Sequence, residues 1–354
     1  MIISRTPFRI SFFGGGTDYP KWYRKHGGSV LVTTIDKYCY ITCRYLPPFF
    51  EHRIRIVYTK SENCQTIDEI SHPAVREILR YLKMDRGVEI HHDADLPARS
   101  GMGSSSSFTV GLLQALYALK GYMPSKKQLA SESIFIEQDI LQETVGSQDQ
   151  VSTAYGGFNQ ITFSSDGDFS VRPMVFPSQR IKDLNAHLML FFTGIKRTAS
   201  NVASSYVNTI DDRKEELHKI NEFLDQGLSI LNSNADIVEF GELLHESWKV
   251  KRSFSSMVSN SYVDNIYEEA LRAGAVGGKI IGAGGGGFML LFVPPSRQEC
   301  VRSKLQKLIH VPFTFESSGS QIIFYEPEQD YAILERKRDD NPVQRFKELG
   351  EEQE

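Results

Sequence analysis

The run Leu96–Ser107, LPARSGMGSSSS, places two glycines and five serines directly before an apolar series. That series, Phe108, Leu112, Leu113, Leu116 and Leu119, has helical spacing, so the run opens a helix. The first N–H groups of a helix lack internal partners and carry the positive end of its dipole. Small residues let a phosphate reach those groups, and hydroxyls add donors and ligands for Mg2+. The pattern is neither GxxxxGK[ST] nor GxGxxG. It also exceeds what a serine N-cap requires, so a phosphate cradle is the expected chemistry.

Two further loops concentrate glycine, and twelve of the 27 glycines fall in the three together. RISFFGGGTD, residues 9–18, ends an apolar run on Gly14-Gly15-Gly16 and then Thr17-Asp18. Asp18 could hold a sugar hydroxyl or equally cap a helix over 19–25. Residues 277–287 carry four consecutive glycines between apolar segments. Such a stretch costs chain entropy, and is expected where backbone approaches a ligand or the phosphate loop; the alternative is a glycine-rich hairpin. Phosphoryl transfer also needs oxygen ligands for Mg2+ and an acceptor for an alcohol proton. Glu137, in an otherwise apolar stretch, and Asp149, in an irregular polar segment over 145–150, could supply them. Position alone does not separate this pair from Glu132, Asp139 or Glu143.

The elements that must position these groups are strands over 2–13, 29–43, 53–58, 89–92, 158–163 and 187–193. Helices are expected over 104–120, over 125–142 behind a Ser125/Gln128 capping box, and over 211–231, 237–252 and 264–273. Residues 279–293 read as strand, glycine run, strand, followed by a helix and two strands to 325. This order predicts an α+β chain in two lobes rather than a βαβ repeat, divided as 1–185 and 186–330, with a charged tail over 331–354.

Composition sets the outer bounds. With 40% apolar and 24% charged residues the chain can bury a core. A net charge of −4 gives no general nucleic-acid footprint. Arg5 and Arg9 interrupt the N-terminal apolar run, so no signal peptide is expected. No stretch reaches the ~18 apolar residues of a membrane helix. The four cysteines form no CxxC pair and read as reduced thiols in a cytoplasmic protein. Cys39 and Cys43 read as small apolar residues of a strand rather than zinc ligands.

Taken together, PFRISFFGGGTDY, LPARSGMGSSSS and KIIGAGGGGF resemble, over residues 2–330, the three motifs of the GHMP kinase superfamily. The resemblance implies the GHMP kinase fold, with an N-terminal half like ribosomal protein S5 domain 2 and a ferredoxin-like C-terminal half. It implies ATP bound along Pro97, Ser100, Gly101, Met102, Gly103, Ser104, Ser105 and Ser106, and Mg2+ held by Ser105 and Glu137. Asp149 takes the place of the catalytic aspartate and Arg9 that of its basic partner, which neutralises the transferred phosphoryl group. Asp18, with Gly15, Gly16 and Thr17, corresponds to the sugar site, with Gly284 and Gly285 on the substrate side.

Galactokinases read GEHTD in the first motif. The glutamate and histidine that hold galactose are replaced here by glycines. GGGTD is similar to the branch of D-glycero-D-manno-heptose 7-phosphate 1-kinases and L-fucokinase-type domains. Residues 192–197, 248–252 and 277–279 also look like the heptose kinases. The resemblance therefore implies a heptose 7-phosphate kinase feeding GDP-heptose for surface polysaccharide. A kinase of the same fold for L-fucose or a galactose-type sugar, and a silent sensor, are the rivals; intact Arg9, Ser105, Glu137 and Asp149 favour an enzyme. A sugar phosphate needs a second anion site. Candidates are Lys196, Arg197, Lys249, Lys251 and Arg252, with Arg197 preferred over Lys196 because a guanidinium grips two oxygens. Solvated surface charge is the alternative. The expected partners are ATP and a sugar phosphate, with no nucleic acid or membrane, in a monomer or homodimer.

Overall fold

Alternation of buried apolar and small polar residues over Ile2–Phe13 makes β1, which lies inside the larger of two sheets. A computed structural model describes residues 1–196, 199–327, 331, 333–334 and 336–337. The remaining strands are β2 (Gly28–Tyr45), β3 (Ile54–Val57), β4 (Ser61–Cys64), β5 (Val88–Ala94), β6 (Asn159–Phe163), β7 (Phe169–Pro173), β8 (Leu188–Phe192), β9 (Gly277–Ile280), β10 (Phe288–Phe292), β11 (Ile309–His310), β12 (Phe315–Glu316) and β13 (Gln321–Tyr325). The helices are α1 (Pro20–His26), α2 (Pro73–Tyr81), α3 (Ser104–Leu119), α4 (Lys126–Phe135), α5 (Gln148–Tyr155), α6 (Ser178–Ala186), α7 (Ala199–Val207), α8 (Lys214–Asn232), α9 (Val238–Arg252), α10 (Ser261–Arg272) and α11 (Gln298–Lys304).

The large sheet runs β13-β1-β2-β5-β3-β4. Strand β2 is long enough to pair with β6 over Gly28–Val32, with β12 at Thr34 and Ile35, and with β5 over Cys39–Tyr45. The small sheet runs β11-β8-β10-β9. Among the described residues only β3 and β5 pair in parallel, as an α+β chain requires. The small sheet takes its strands from residues 188–310, but β12 and β13, which belong to the expected C-terminal half, return to pair with β2 and β1. Most of the tail lies outside the described residues.

Helices α3 and α5 pack on β1 and β2, while α8 reaches the same strands and α9 lies on β9 and β10. Phe240 of α9 meets the rings of Phe12 and Phe13 edge-on at 5.5 and 5.2 Å, tying the end of β1 to α9. The first glycine loop starts at that junction.

Three local features differ from the expected ones. Ser125 caps α4 by accepting from the Gln128 amide at 3.1 Å, but the Gln128 side chain donates to Glu132 instead of reaching back. The helix expected through 142 changes pitch: α4 passes into a π-helical turn over Ile136–Ile140, and Glu137 is buried within that turn. Asp149 lies in the first turn of α5, not in irregular chain.

Candidate active site

One cleft collects Gly16 and Asp18 from the first loop, Gly101, Gly103, Ser104 and Ser105 from the second, and Gly282 and Ala283 from the third. The third loop touches the second directly. A Cβ at Gly287, whose φ is +92°, would stand 2.1 Å from the Ser100 carbonyl, and Phe288 N–H donates to that carbonyl at 3.2 Å. A Cβ at Gly282 would lie 2.7 Å from the Gly101 carbonyl. Contact with the second loop thus explains Gly282 and Gly287, the last of the four consecutive glycines, whereas Gly286 packs against Ile195. Gly284 and Gly285 meet Val258, Gly285 N–H donating to its carbonyl at 2.6 Å, and neither lines the cleft.

Gly103 caps α3 in the left-handed conformation, aiming the first turn and Ser104 and Ser105 at the cleft. Ser100, Met102 and Ser106 are buried beneath the loop. Pro97 is half-buried and is not among the residues lining the cleft.

Arg9 rises from β1 with its side chain 3% exposed. Its Nε and Nη2 donate to the two oxygens of Asp149 at 2.7 and 2.6 Å, and its Nη1 to the Gly101 carbonyl at 2.8 Å. One guanidinium therefore orients the aspartate and anchors the second glycine loop. The Asp149 carboxylate, 22% exposed, faces the cleft.

Asp18 does not cap α1, whose N-cap is Tyr19. Its carboxylate accepts from Gly16 N–H at 2.9 Å and abuts the backbone at Gly146, where a Cβ would come within 1.9 Å of Oδ2. Burial, with the charge of Asp149 adding to it, raises the Asp18 pKa; the Gly16 N–H and Lys251 oppose the shift. Thr17 serves the loop rather than the cleft. Its hydroxyl donates to the carbonyls of Gly14 and Ser29 at 2.9 and 3.0 Å.

Glu137 is buried against Ser106, whose hydroxyl donates to Oε2 at 2.9 Å, and Gln150 Nε2 donates to the same oxygen at 2.5 Å. The serine bonded to Glu137 is Ser106, whereas Ser105 is exposed at the cleft. Burial, reinforced by Glu143, pushes the Glu137 carboxyl up to about 8. Its Oε1 is buried without a hydrogen-bond partner. An unpaired carboxylate oxygen beside the Ser106 hydroxyl is a hard-oxygen donor set and fits Mg2+.

Two lysines stand at the inner end of the site: Lys251, one of the five sequence candidates for the second anion site, and Lys279, which the sequence did not single out. Lys251 of α9 lines the cleft and donates to the Gly282 carbonyl at 2.8 Å. Lys279 of β9 is fully buried and holds the carbonyls of Ser11 and Phe12 at 3.0 and 2.8 Å. Burial, with Lys251 and Arg9 nearby, depresses its pKa well below that of an ordinary lysine. The signal for Lys251 was its three-residue offset from Trp248, which puts both on the inner face of α9. Lys249 and Arg252 face Glu246 and Asp264. Lys196 is exposed and does not line the cleft, and Arg197 lies outside the described residues.

Among the described residues no helix is long and apolar enough to cross a membrane. Residues 69–157 match the model of the GHMP kinases N terminal domain, and residues 230–310 that of the GHMP kinases C terminal domain. D-glycero-alpha-D-manno-heptose 7-phosphate kinase of Campylobacter jejuni is 29% identical over 317 residues, spanning 86% of this chain and 93% of that one. The bifunctional fucokinase/GDP-fucose pyrophosphorylase of Arabidopsis thaliana is 26% identical over 80% of this chain and 29% of its own length. Among solved structures, a D-glycero-D-manno-heptose 1-phosphate kinase from Bacteroides thetaiotaomicron superposes with a TM-score of 0.75 at 24% identity, covering 92% of this chain and all of that one.

Proposed function

Because the chain belongs to the GHMP kinases, carrying both the N- and C-terminal domains of that family, we propose that it is a cytoplasmic, ATP-dependent sugar kinase. Its substrate in this reading is D-glycero-D-manno-heptose 7-phosphate, phosphorylated on the anomeric O1 to the 1,7-bisphosphate for GDP-heptose and surface polysaccharide synthesis. The observation that carries the choice of sugar is the likeness to the Campylobacter enzyme over nearly the whole of both chains. The glycines that replace galactokinase's sugar-holding glutamate and histidine agree with it.

The α3 N-terminus and the N–H groups of Gly101–Ser105 bind the ATP phosphates. Glu137 with Ser105 or Ser106 would hold Mg2+, which neutralises phosphate charge when bound. Asp18 orients the sugar. The O1 hydroxyl attacks the γ-phosphorus as its proton passes to Asp149; the bond from phosphorus to the β,γ-bridging oxygen breaks, and ADP leaves. Three N–H groups of Arg9 are engaged by Asp149 and Gly101, so its first task is to position the acceptor, and two N–H groups remain for the phosphoryl oxygens. Positioning and electrostatics supply most of the catalysis in such transfers.

The test is an ADP-release assay with MgATP and, separately, D-glycero-D-manno-heptose 7-phosphate, sedoheptulose 7-phosphate, L-fucose, galactose and mannose. Turnover of the heptose 7-phosphate above the others is expected. Turnover of an unphosphorylated sugar alone overturns the choice of substrate. Nucleotide binding without ADP release from any sugar overturns the enzyme.

A further inference from the structure

We propose that Lys251, Gln148 and Ser11 form the subsite for the substrate's non-reacting anionic group, a proposal that rests on the sugar-phosphate kinase reading. The three come from α9, α5 and β1, and they converge on Gly15. A Cβ built there would have Ser11 Oγ, Gln148 Nε2 and Lys251 Nζ as its nearest atoms, at 3.7, 3.8 and 3.8 Å. These are ordinary contact distances, so the place of the missing side chain is closely ringed by an ammonium, an amide and a hydroxyl, and Lys251 and Gln148 of that ring also line the cleft.

The polar atoms around that space point to a ligand. Ser11 is 5% exposed, and its hydroxyl is buried with no hydrogen-bond partner. The Gln148 carbonyl oxygen is likewise unpartnered and, being an acceptor, suits a hydroxyl of the sugar rather than a phosphate oxygen. A buried polar atom costs free energy until something pairs with it. Lys251, 8% exposed, can only donate, and the Ser11 hydroxyl and Gln148 amide can donate beside it. Such a set complements the oxygens of a phosphate monoester better than neutral hydroxyls, which must donate as well as accept.

The charged residues lining the cleft are Arg9, Arg99 and Lys251 against Asp18, Glu143 and Asp149, a local balance in a chain whose net charge is −4. Arg9 is engaged by Asp149, and Lys279 by two carbonyls of β1. Lys251 lines the cleft together with Arg9 and Arg99, and its charge acts on Asp18. In a buried setting its attraction for an anion is screened far less than at the surface.

The experiment compares the heptose 7-phosphate with the same heptose lacking phosphate, for wild type, Lys251→Met, Gln148→Leu and Ser11→Ala, with KM for ATP measured in parallel. Loss of a charged hydrogen bond predicts that Lys251→Met raises KM for the heptose 7-phosphate about 10- to 100-fold. Its losses on the dephosphorylated sugar and on ATP should be clearly smaller than on the heptose 7-phosphate, though not absent, because Lys251 also holds the Gly282 carbonyl and acts on Asp18. Gln148→Leu and Ser11→Ala should shift the same preference less. Equal losses on both sugars, or a loss confined to ATP, overturn the subsite. If Lys251→Met does not fold, unchanged preference in both other variants overturns it. A wild type that prefers the dephosphorylated sugar overturns the sugar-phosphate reading itself. A wild type that prefers the phosphate, with Lys251→Met keeping that preference, overturns this inference alone.

Discussion

The guanidinium of Arg9 meets the carboxylate of Asp149 edge to edge, with Nε and Nη2 at 2.7 and 2.6 Å from its two oxygens. Planar groups paired through two parallel hydrogen bonds have one mutual orientation, so a residue of β1 dictates how a residue of α5 faces the cleft. Strand β1 is held between β2 and β13, and α5 packs on β1 and β2. The orientation is therefore inherited from the core, which is what phosphoryl transfer asks of a proton acceptor.

If Asp149 takes the proton, Asp149→Asn lowers kcat by about 10²–10⁴ while KM for ATP changes little, because the phosphate loop is untouched. The Asn oxygen can still accept from Arg9, so the fold should survive. Steady-state kinetics on the sugar that turns over, with a thermal melt as control, check this. Full turnover by the variant overturns the role.

Arg9→Lys keeps the charge but not the fork. A single ammonium cannot hold both Asp149 oxygens and the Gly101 carbonyl in fixed directions. The expected outcome is a loss of kcat of about 10² or more in a folded protein. Arg9→Met leaves Asp149 without its cation and should also destabilise the chain by about 3 kcal/mol, the low end for breaking a buried pair, since Asp149 keeps 22% exposure. Urea titration separates the two variants.

Glu137 gives a pH signature. Burial first, and Glu143 second, raise its pKa from the ordinary 4.5 to about 8 in the folded chain. Between those values the native state holds a proton that the unfolded chain has released, so this group's contribution to stability is full below pH 4.5 and falls as pH rises towards 8. Glu137→Gln removes that titration. Without Mg2+, the variant should gain stability relative to wild type as pH is raised from 5 to 9, read from urea midpoints at each pH. A pH-independent difference would refute the shift. Proton release on Mg2+ binding at pH 7 is the companion expectation.

How legible all this was depended on how much periodic sequence carried each feature. Strand β1 and helix α3 are long and strongly patterned, and both were read from the chain. Helix α5, QDQVSTAY, has few large apolar residues, and Ser147 makes no cap hydrogen bond, so Asp149 looked unstructured. Helices α6 and α7 are nine residues each and gave no clear period, whereas α2, of equal length, carries Val75, Ile78 and Leu79 at helical spacing. Choosing between Ser105 and Ser106 as the partner of Glu137 needed the phase of α3 against the π-helical turn, and four identical serines in a row carry no such signal. Lys251 was one of three cations in WKVKR, and only the inward packing of Trp248 tells which one enters the cleft. Asp18 was left even between a sugar ligand and a helix cap, because distinguishing them required knowing that residues 143–147 fold back over its carboxylate.

The contact between the second and third loops supplies a last prediction. At Gly287 a Cβ would stand 2.1 Å from the Ser100 carbonyl, on a backbone with φ of +92°. At Gly121 φ is +75°, yet nothing lies within 4 Å. Gly121→Ala therefore pays only the left-handed backbone penalty, about 1 kcal/mol, and should leave KM for ATP unchanged. Gly287→Ala meets the same penalty and must also push the third loop off the carbonyl that precedes Gly101. Since Arg9 holds Gly101 from the other side, the phosphate loop cannot yield without disturbing the Arg9–Asp149 pair. The expected result is a markedly lower melting temperature than for Gly121→Ala, and in whatever folds, a KM for ATP raised about tenfold or more, as loss of one charge-assisted hydrogen bond would give. Equal melting temperatures and equal KM values in the two variants would show that the glycine run does not serve the contact between the loops.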